Sequence, residues 1–225
     1  MSVIECIDVR KTYRSGKIEV PALRGVTLSI EKGDFVALTG PSGCGKTTLL
    51  NIIGGLDRPT GGKVSVEGRS LRHLSNAELA DLRLRRVGFV FQAYNLVPVL
   101  SGLENVEFVL QLQGVDKSDR RRRATEILSA VGLAEMQARR PAELSGGQQQ
   151  RVAVARALAS NPAIVVADEP TANLDSKTAQ ALLELMRDLN VEEQLTFVVA
   201  SHDPKVLDVV KRHVRLVDGQ IHSDT

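Results

Sequence analysis

A phosphate-loop pattern restricts the fold of this 225-residue chain more strongly than any other part of its sequence. The loop reads Gly40-Pro41-Ser42-Gly43-Cys44-Gly45-Lys46-Thr47 and fits G-x-x-x-x-G-K-[ST], whose backbone N–H groups surround nucleotide phosphates. Apolar residues 35–38 before it predict a buried strand, and residues 48–53 after it predict a helix. Lys46 is then expected to reach the β- and γ-phosphates, and the Thr47 hydroxyl to hold Mg²⁺. A glycine-rich turn without a ligand is the alternative, and the flanking strand and helix argue against it.

The length and charge of the chain exclude several classes of protein. A chain of 225 residues predicts one domain, or one domain with an inserted subdomain. Lys and Arg number 29 against 27 Asp and Glu, so nothing in the charge favours nucleic acid as the main partner. Two cysteines, Cys6 and Cys44, give no disulfide framework and are typical of a reducing compartment. The sequence predicts no signal peptide and no apolar run of ~18 residues, so work at a membrane would require a second chain as anchor.

Local patterns divide the chain into three parts. Strand patterns dominate the first, helical spacing dominates the middle, and strands alternate with helices in the last. Such alternation predicts a parallel sheet covered by helices, with the helical middle inserted as a subdomain. Strands are predicted at residues 3–13, 26–30, 35–38, 64–68, 164–167 and 195–200, with a hairpin at 213–221 turned at Asp218-Gly219. Helices are predicted at residues 48–53, 76–85, 103–113, 118–131, 148–159, 178–189 and 204–210.

Three predicted strands end in residues that are capable of chemistry. One runs into the phosphate loop, one into Asp168-Glu169, and one into Ser201-His202. Ligands of open α/β sheets bind beyond the carboxyl ends of the strands, so parallel packing would gather these residues in one crevice.

Each of these polar residues has an expected role and an ordinary alternative. Asp168 suits Mg²⁺, bound directly or through water, as the acidic partner of Thr47. Glu169 can orient or deprotonate a water near the γ-phosphate. Helix capping or a surface acid pair is the alternative for both carboxylates. His202 can hydrogen-bond a γ-phosphate oxygen, and a structural or surface histidine is its alternative.

Two further stretches carry concentrated signals. Ser145-Gly146-Gly147 precedes a helix and offers N–H groups, a hydroxyl and a positive helix end to a second anion. A flexible cap for an alanine-rich helix is the alternative. The run Arg120-Arg121-Arg122-Arg123 is interpreted as a solvated helix face rather than a patch for anionic lipid or nucleic acid, because it is short and lacks aromatic residues.

Taken together, these motifs resemble those of ABC-type ATPases. Leu-Ser-Gly-Gly-Gln at 144–148 lies between the phosphate loop and Asp168-Glu169-Pro170, and the resemblance covers residues 3–221. It implies an α/β fold: a P-loop NTPase core with a mostly parallel sheet, an N-terminal antiparallel β subdomain and an inserted helical subdomain. The implied core and antiparallel subdomain cover residues 1–92 and 161–225, and the helical subdomain with the signature motif covers about 93–160.

The resemblance also implies roles for residues whose local pattern carries little signal. Tyr13 resembles the aromatic residue that stacks on adenine, although its pattern alone favours a strand core residue. Gln92 resembles the glutamine that contacts Mg²⁺ and water and joins the core to the helical subdomain. Asn173-Leu174-Asp175 resembles the loop that crosses between partner subunits, and His202 resembles the switch histidine. The full implied set is catalytic Gln92, Glu169 and His202; ATP-binding Tyr13, Gly40, Pro41, Ser42, Gly43, Cys44, Gly45, Lys46, Thr47, Thr48, Ser145, Gly146, Gly147 and Gln148; and metal-binding Thr47, Gln92 and Asp168.

The resemblance further implies ligands and partners. Two copies pair head to tail, with each ATP between the phosphate loop of one copy and Ser145-Gly146-Gly147 of the other. ATP binding closes this dimer, hydrolysis releases it, and the helical subdomain passes the change to an integral-membrane permease. The implied ligands are ATP and Mg²⁺. The implied location is cytoplasmic, on the inner face of the cell membrane, with a periplasmic adaptor reached through the permease.

The amino-acid sequence of one loop favours a subfamily. Residues 95–100 and 103–106 are similar to lipoprotein-release and macrolide-efflux ATPases, whose permeases are FtsX-like. The chain stops soon after its last hairpin, so a separate ATPase subunit is expected. The apolar residues expected to help form the groove for a permease helix are Leu96, Val97, Val99 and Leu100. Core packing is the alternative for them.

Two other functions stay open at this point. One is an ATP-dependent switch that acts on a membrane partner without moving cargo. The other is a soluble ABC ATPase of nucleic-acid maintenance or translation, which the balanced charge disfavours.

The chain departs from the family pattern at two places. Cys44 stands where serine is usual, and a thiol beside a helix start and a lysine is expected to be acidic and reactive. Alkylation of Cys44 would then block ATPase activity, and bound nucleotide would protect it. Ala172-Asn173 stands where Ser-Ala is common, which affects the contacts of the loop that follows.

Overall fold

The computed structural model describes residues 2–16 and 18–225, which contain ten strands and seven α-helices. The strands are β1 (Ser2–Ser15), β2 (Ile18–Glu31), β3 (Phe35–Thr39), β4 (Gly61–Val66), β5 (Arg69–Ser70), β6 (Val87–Phe91), β7 (Ile164–Asp168), β8 (Thr196–Ala200), β9 (Arg212–Val217) and β10 (Gln220–Asp224). The helices are α1 (Lys46–Ile53), α2 (Asn76–Arg86), α3 (Gly102–Leu112), α4 (Lys117–Ala130), α5 (Gly146–Ala159), α6 (Ser176–Glu193) and α7 (Pro204–Val209).

One layer is an antiparallel sheet with the strand order β2-β1-β4-β5. The long strands β1 and β2 form a hairpin with several bulges, in which Tyr13 pairs with Val20. Val26, Leu28 and Ile30 of β2 are buried while the residues between them are exposed. This alternation follows from the two-residue period of a strand and places one face of the sheet against the core.

The second sheet has the order β10-β9-β3-β8-β7-β6 and positions the candidate site. Its strands from β9 to β6 run parallel, and β10 forms an antiparallel hairpin with β9. The register pairs Phe91 with Asp168, Asp168 with Ala200, and Ala200 with Leu38. The carboxyl ends of four neighbouring strands therefore meet at one edge.

Two apolar cores cover the two faces of the parallel sheet. Val36 and Leu38 of β3 belong to the core shared with α1 and the antiparallel sheet, whereas Phe35 and Ala37 belong to the core shared with α3, α4, α5 and α6. Strands buried on both faces read as continuous apolar runs, which is why residues 35–38, 164–167 and 197–200 lack alternation. The predicted α/β class with two sheets is confirmed.

The helices α3, α4 and α5 lie together in the middle of the chain. The buried residues that they contribute include Leu103, Val106, Leu110, Ala124, Leu128 and Val152. The division of the chain near residues 93 and 160 stays a prediction, and β6 ends at Phe91 and α5 at Ala159, next to those positions. Across the described residues, no helix combines the length and hydropathy needed to cross a membrane.

Strand β6 was not predicted from the sequence. Residues 87–91 directly follow α2, and Gly88 interrupts their apolar pattern. The glycine is required by packing, because a Cβ at this position would lie 2.5 Å from the carbonyl oxygen of Ala157 in α5. The strand is therefore specified by a contact between distant residues, which no local pattern reveals.

We predict that Gly88→Ala destabilises the fold by about 1–3 kcal/mol, because the added methyl group forces β6 away from α5. Thermal or urea denaturation measures this loss. Gly61→Ala in β4 is the matched control, since its Cβ would meet no atom nearer than Arg10 Cβ at 3.5 Å. Equal stabilities of the two variants would contradict the close approach of β6 and α5.

Candidate active site

A cleft of about 620 Å³ opens where the parallel strands end. Its lining consists of Ala22, Gly40, Pro41, Ser42, Gly43, Gly45, Lys46, Thr47, Thr48, Gln92, Glu169 and His202. The structure thus gathers the phosphate loop, the carboxylate after β7, the histidine after β8 and the glutamine after β6. The crevice predicted from the strand ends is present.

Two glycines fix the path of the phosphate loop. Gly40 has φ 138° and Gly45 has φ 108°, in the region that favours glycine. A Cβ at Gly40 would lie 2.1 Å from the carbonyl oxygen of Leu216, and one at Gly45 would lie 2.6 Å from that of Ala22. The loop is therefore wedged between β2 and the β9–β10 hairpin. The turn of that hairpin braces it, since the N–H of Gly219 donates to the Cys44 carbonyl at 3.1 Å.

The Lys46 ammonium lies inside this loop. The residue is 9% exposed, and its Nζ donates to the carbonyl oxygens of Gly40 at 2.8 Å and Pro41 at 3.0 Å. Gly45 is the N-cap of α1 and no side chain in the described residues caps that helix, so its first N–H groups face the loop without competition from a side-chain oxygen. The Lys46 charge and the N-terminus of α1 thus both face the space enclosed by the phosphate loop.

Cys44 does not match the expectation of a reactive thiol. The residue is 5% exposed, and its Sγ lies under the loop, where a Cβ on Gly40 would come within 2.9 Å of it. An alkylating reagent would have to open the loop to reach the sulfur. The predicted proximity of Cys44 to Lys46 is present, since the Cys44 sulfur lies 3.8 Å from Lys46 Nζ. The sequence did not show that the Cys44 side chain points inward.

Thr47 and Asp168 come together at the end of β7. The Thr47 hydroxyl donates to a carboxylate oxygen of Asp168 at 3.2 Å. Burial raises the pKa of Asp168, the nearby charge of Glu169 raises it further, and the hydrogen bond from Thr47 opposes both. A hydroxyl and a carboxylate are hard oxygen donors of the kind that Mg²⁺ prefers, and Gln92 lines the same cleft with a side-chain amide. The residues present therefore fit the metal that the resemblance implies.

Glu169 points away from Asp168, toward the end of β8. It has φ 47°, a left-handed conformation uncommon for a residue with a Cβ, and its N–H donates to the Ala200 carbonyl at 2.9 Å. One carboxylate oxygen accepts from the Ser201 hydroxyl at 3.1 Å, and the other lies 2.7 Å from His202 Nδ1. The strained backbone therefore separates two adjacent carboxylates into two positions in the site.

Tyr13 lies outside the residues that line the cleft. Its ring is 41% exposed on β1, its hydroxyl donates to Asp57 at 2.9 Å, and Lys11 Nζ lies 4.8 Å from the ring centroid. Its pairing partner Val20 is two residues from Ala22, which does line the cleft. The alternative of a buried strand core residue is wrong, and stacking on adenine stays a prediction.

Residues 145–148 form the start of α5 and do not line the cleft. The Ser145 hydroxyl accepts from the Gln148 N–H at 3.3 Å, and the Gln148 side chain accepts from the Ser145 N–H at 2.9 Å, which is a capping box. Gly147 is needed for packing, since a Cβ there would lie 2.2 Å from Thr178 Cγ2. Within one chain, this helix start and the phosphate loop are separate surfaces.

Three contacts of the site were not predicted from the sequence. Ala22 lines the cleft, Ser201 hydrogen-bonds Glu169, and Asn173 donates to the Gln92 carbonyl at 2.8 Å. Ser201 carried a usable signal, because it follows a buried strand. Ala22 carried none, and the motif that contains Asn173 did not indicate its contact with Gln92, because both contacts join chain segments that are distant in sequence.

Comparisons with known proteins identify the family. The family model described as ABC transporter matches residues 23–172. A lipoprotein-releasing system ATP-binding protein LolD from Geobacter metallireducens is 44% identical, with 99% of each chain covered. A macrolide export ATP-binding/permease protein MacB from Syntrophobacter fumaroxidans is 49% identical over the whole chain, which spans only 32% of that protein's length.

A solved structure agrees with these relatives. The ATP-binding cassette MJ0796, in a dimeric post-hydrolysis state bound to ADP and Pi, superimposes with a TM-score of 0.91 at 44% identity. The match covers 99% of this chain and 97% of that one. The resemblance to ABC ATPases of the lipoprotein-release and macrolide-efflux type is confirmed. The chain belongs to the ABC transporter family and is an ATP-binding ATPase cassette of that family.

Proposed function

We propose that this chain is the ATP-hydrolysing motor subunit of a membrane transporter and works as a head-to-tail dimer around two Mg-ATP. One observation carries the proposal. The cleft collects a phosphate loop, a buried lysine, Gln92, Glu169 and His202. The helix start at Ser145, which has the anion-binding character of a second half-site, lies elsewhere on the same chain.

Binding of the triphosphate relies on groups that are already in place. Lys46 now donates to two loop carbonyls, and phosphate oxygens offer it stronger, charge-assisted hydrogen bonds. The N–H groups at the start of α1 add a positive helix end. Thr47 and Asp168, together with Gln92, would hold Mg²⁺, which when bound neutralises phosphate charge.

Hydrolysis would depend on Glu169 and His202. The Glu169 carboxylate can accept a proton from a water that attacks the γ-phosphate, and Ser201 holds one of its oxygens in place. His202 faces Glu169 through Nδ1, so Nε2 remains to hydrogen-bond a γ-phosphate oxygen. The imidazole ring is thus placed to orient the base and to respond to the γ-phosphate.

The head-to-tail arrangement supplies the missing half of each site. Residues Ser145, Gly146 and Gly147 present backbone N–H groups at the start of a helix of 14 residues. A cassette that is 44% identical has been solved as a dimer with ADP and Pi. In our proposal, each ATP lies between one phosphate loop and the partner copy's helix start, so the closed dimer is favoured only while ATP is present.

A separate groove is the proposed contact with the permease. It measures about 380 Å³ and is lined by Leu56, Arg83, Leu84, Val87, Gly88, Phe89, Phe91, Asn95, Val109, Arg156, Ala157 and Ser160. This lining is mostly apolar, with two guanidinium groups and no carboxylate. An apolar helix that carries an acidic side chain is the complementary occupant, and we assign it to the cytoplasmic side of the permease.

The groove that we assign to the permease differs from the surface that the sequence suggested, and nothing tests either assignment. None of Leu96, Val97, Val99 and Leu100 is among the residues that line it. Leu96 packs against the buried core, and Val99 is 71% exposed. Most of the lining comes from α2, β6 and the C-terminal half of α5, and Leu56, Asn95, Val109 and Ser160 complete it. The sequence did not bring these elements together because β6 was not predicted.

The names of the relatives suggest the transport process. We infer an FtsX-like permease, a cargo of the lipoprotein-release or efflux kind, an adaptor reached through the permease, and a position on the inner face of the membrane. Cargo movement in vesicles that contain the permease distinguishes this function from a switch that moves nothing.

The catalytic assignment predicts the behaviour of Glu169→Gln. The amide keeps the size of the side chain but cannot accept the proton, so ATP turnover falls about 100-fold or more while ATP still binds. Size-exclusion chromatography with light scattering should show a dimer in saturating Mg-ATP. Glu135→Gln on an exposed turn is the control. A Glu169→Gln protein that stays monomeric, with or without its permease, would refute the proposed motor.

Lys46→Ala should fail at an earlier step. Loss of the buried ammonium removes charge-assisted bonds to the phosphates and weakens ATP binding by about 10- to 100-fold. Fluorescent-nucleotide titration measures this constant. Lys63→Ala in β4, where the lysine is exposed, should bind ATP like the parent chain. Unchanged affinity in Lys46→Ala would remove that residue from the phosphate site.

A further inference from the structure

The short turn that follows β6, residues 92–95, has an unusual backbone. Tyr94 has φ 56° and Asn95 has φ 51°, so two consecutive residues with side chains are left-handed. This conformation is disfavoured for residues with a Cβ, and more so for a bulky one such as tyrosine. It persists only where the surroundings hold it.

Side chains from distant segments hold the carbonyl groups of this turn. The Gln92 carbonyl accepts from the Asn173 amide at 2.8 Å. The Tyr94 carbonyl accepts from Arg156 Nη2 at 2.8 Å, and the Asn95 carbonyl accepts from Nη1 of the same guanidinium. One arginine of α5 therefore bridges both left-handed residues.

Arg156 is suited to hold two adjacent carbonyls. Its planar guanidinium presents parallel N–H donors, which a lysine ammonium does not. Burial lowers the pKa of Arg156, and no carboxylate among the described residues forms an ion pair with it. The two carbonyl groups are thus its principal partners, and loss of either would leave a half-buried charge with fewer hydrogen-bond acceptors.

The turn touches three surfaces of the molecule within four residues. Gln92 lines the nucleotide cleft. The Tyr94 hydroxyl reaches the start of α5, where a Cβ on Gly146 would lie 2.9 Å from it. Asn95 and Arg156 line the groove assigned to the permease.

We propose that Arg156 is a positioning residue for ATP hydrolysis. By holding Tyr94 and Asn95 left-handed, it sets the places of Gln92 in the cleft and of Tyr94 beside the second half-site. Because the same guanidinium lines the groove, a carboxylate that docks there competes with the two carbonyls for it and releases the turn. This inference rests on the proposed function, in which Gln92 acts in catalysis and the groove receives a permease helix.

Arg156→Lys tests the bridge directly. Lysine keeps the charge, but its single nitrogen cannot keep the two fixed, parallel donor positions of the guanidinium. The hold on Tyr94 and Asn95 then loosens, so kcat falls about tenfold while KM for ATP stays within about twofold. Hydrogen exchange of the amides at residues 92–97 in the nucleotide-free protein should become faster. Arg151→Lys is the matched control, because Arg151 lies on the same helix and donates to a single carbonyl, that of Val131, at 3.0 Å. It should leave kcat and the exchange of residues 92–97 unchanged.

A second-site change separates positioning from packing. Glycine adopts positive φ without a Cβ penalty, so Asn95→Gly in the Arg156→Lys background should recover kcat about threefold. The single Asn95→Gly variant gives the baseline. Asn95→Val, which leaves Arg156 intact but disfavours the left-handed turn, should lower kcat as Arg156→Lys does. If Arg156→Lys does not fold, Asn95→Val tests the inference in its place.

Two results would overturn the inference. One is normal kcat and normal exchange at residues 92–97 in Arg156→Lys. The other is a loss of kcat that Asn95→Gly does not relieve and Asn95→Val does not reproduce, which would mean that Arg156 only packs α5. An inactive parent chain would instead contradict the proposed function, and the exchange measurement would still decide the role of Arg156.

Discussion

Backbone hydrogen bonding between four parallel strands places Leu38, Ala200, Asp168 and Phe91 in one row. Gln92, Glu169 and His202 follow three of these strand ends within two residues, and the phosphate loop follows the fourth. A slip of one residue in this register would turn Asp168 to the opposite face of the sheet and separate it from Thr47. The two apolar cores fix the register, because each strand is buried on both faces and any shift would exchange residues between cores of different shape.

Much of this arrangement was predictable from local sequence. The phosphate loop needs glycine at particular positions, as Gly40 and Gly45 illustrate, and such a backbone requirement leaves a readable pattern. The strand ends at Asp168 and His202 were predictable for a similar reason, since a buried apolar run that stops at polar residues marks an edge. Helix periodicity gave the helices to within a few residues, apart from α6, which begins two residues earlier and ends four residues later than predicted.

What the sequence did not reveal depends on pairs of distant residues. Gly88 looks like a strand breaker until α5 is packed against it, so β6 and the groove beside it were missed. Cys44 is two residues from Lys46 in the sequence, but only the folded loop shows that its sulfur is buried. The support of the 92–95 turn by Asn173 and Arg156 joins three separate chain segments, and no local pattern at either residue indicates these contacts.

The brace between the phosphate loop and the β9–β10 hairpin has a practical consequence. Hairpin tips are usually the places where a chain accepts an inserted peptide or a bulky label most readily. Here the tip residue Gly219 bonds the Cys44 carbonyl from one side and accepts from the Arg24 N–H on the other, and a Cβ on it would lie 2.7 Å from the Ala22 carbonyl. A fluorophore or epitope placed at this tip would therefore strain the phosphate loop itself. Such a label would report on the geometry of the loop and would be a poor choice where the label must not disturb nucleotide binding.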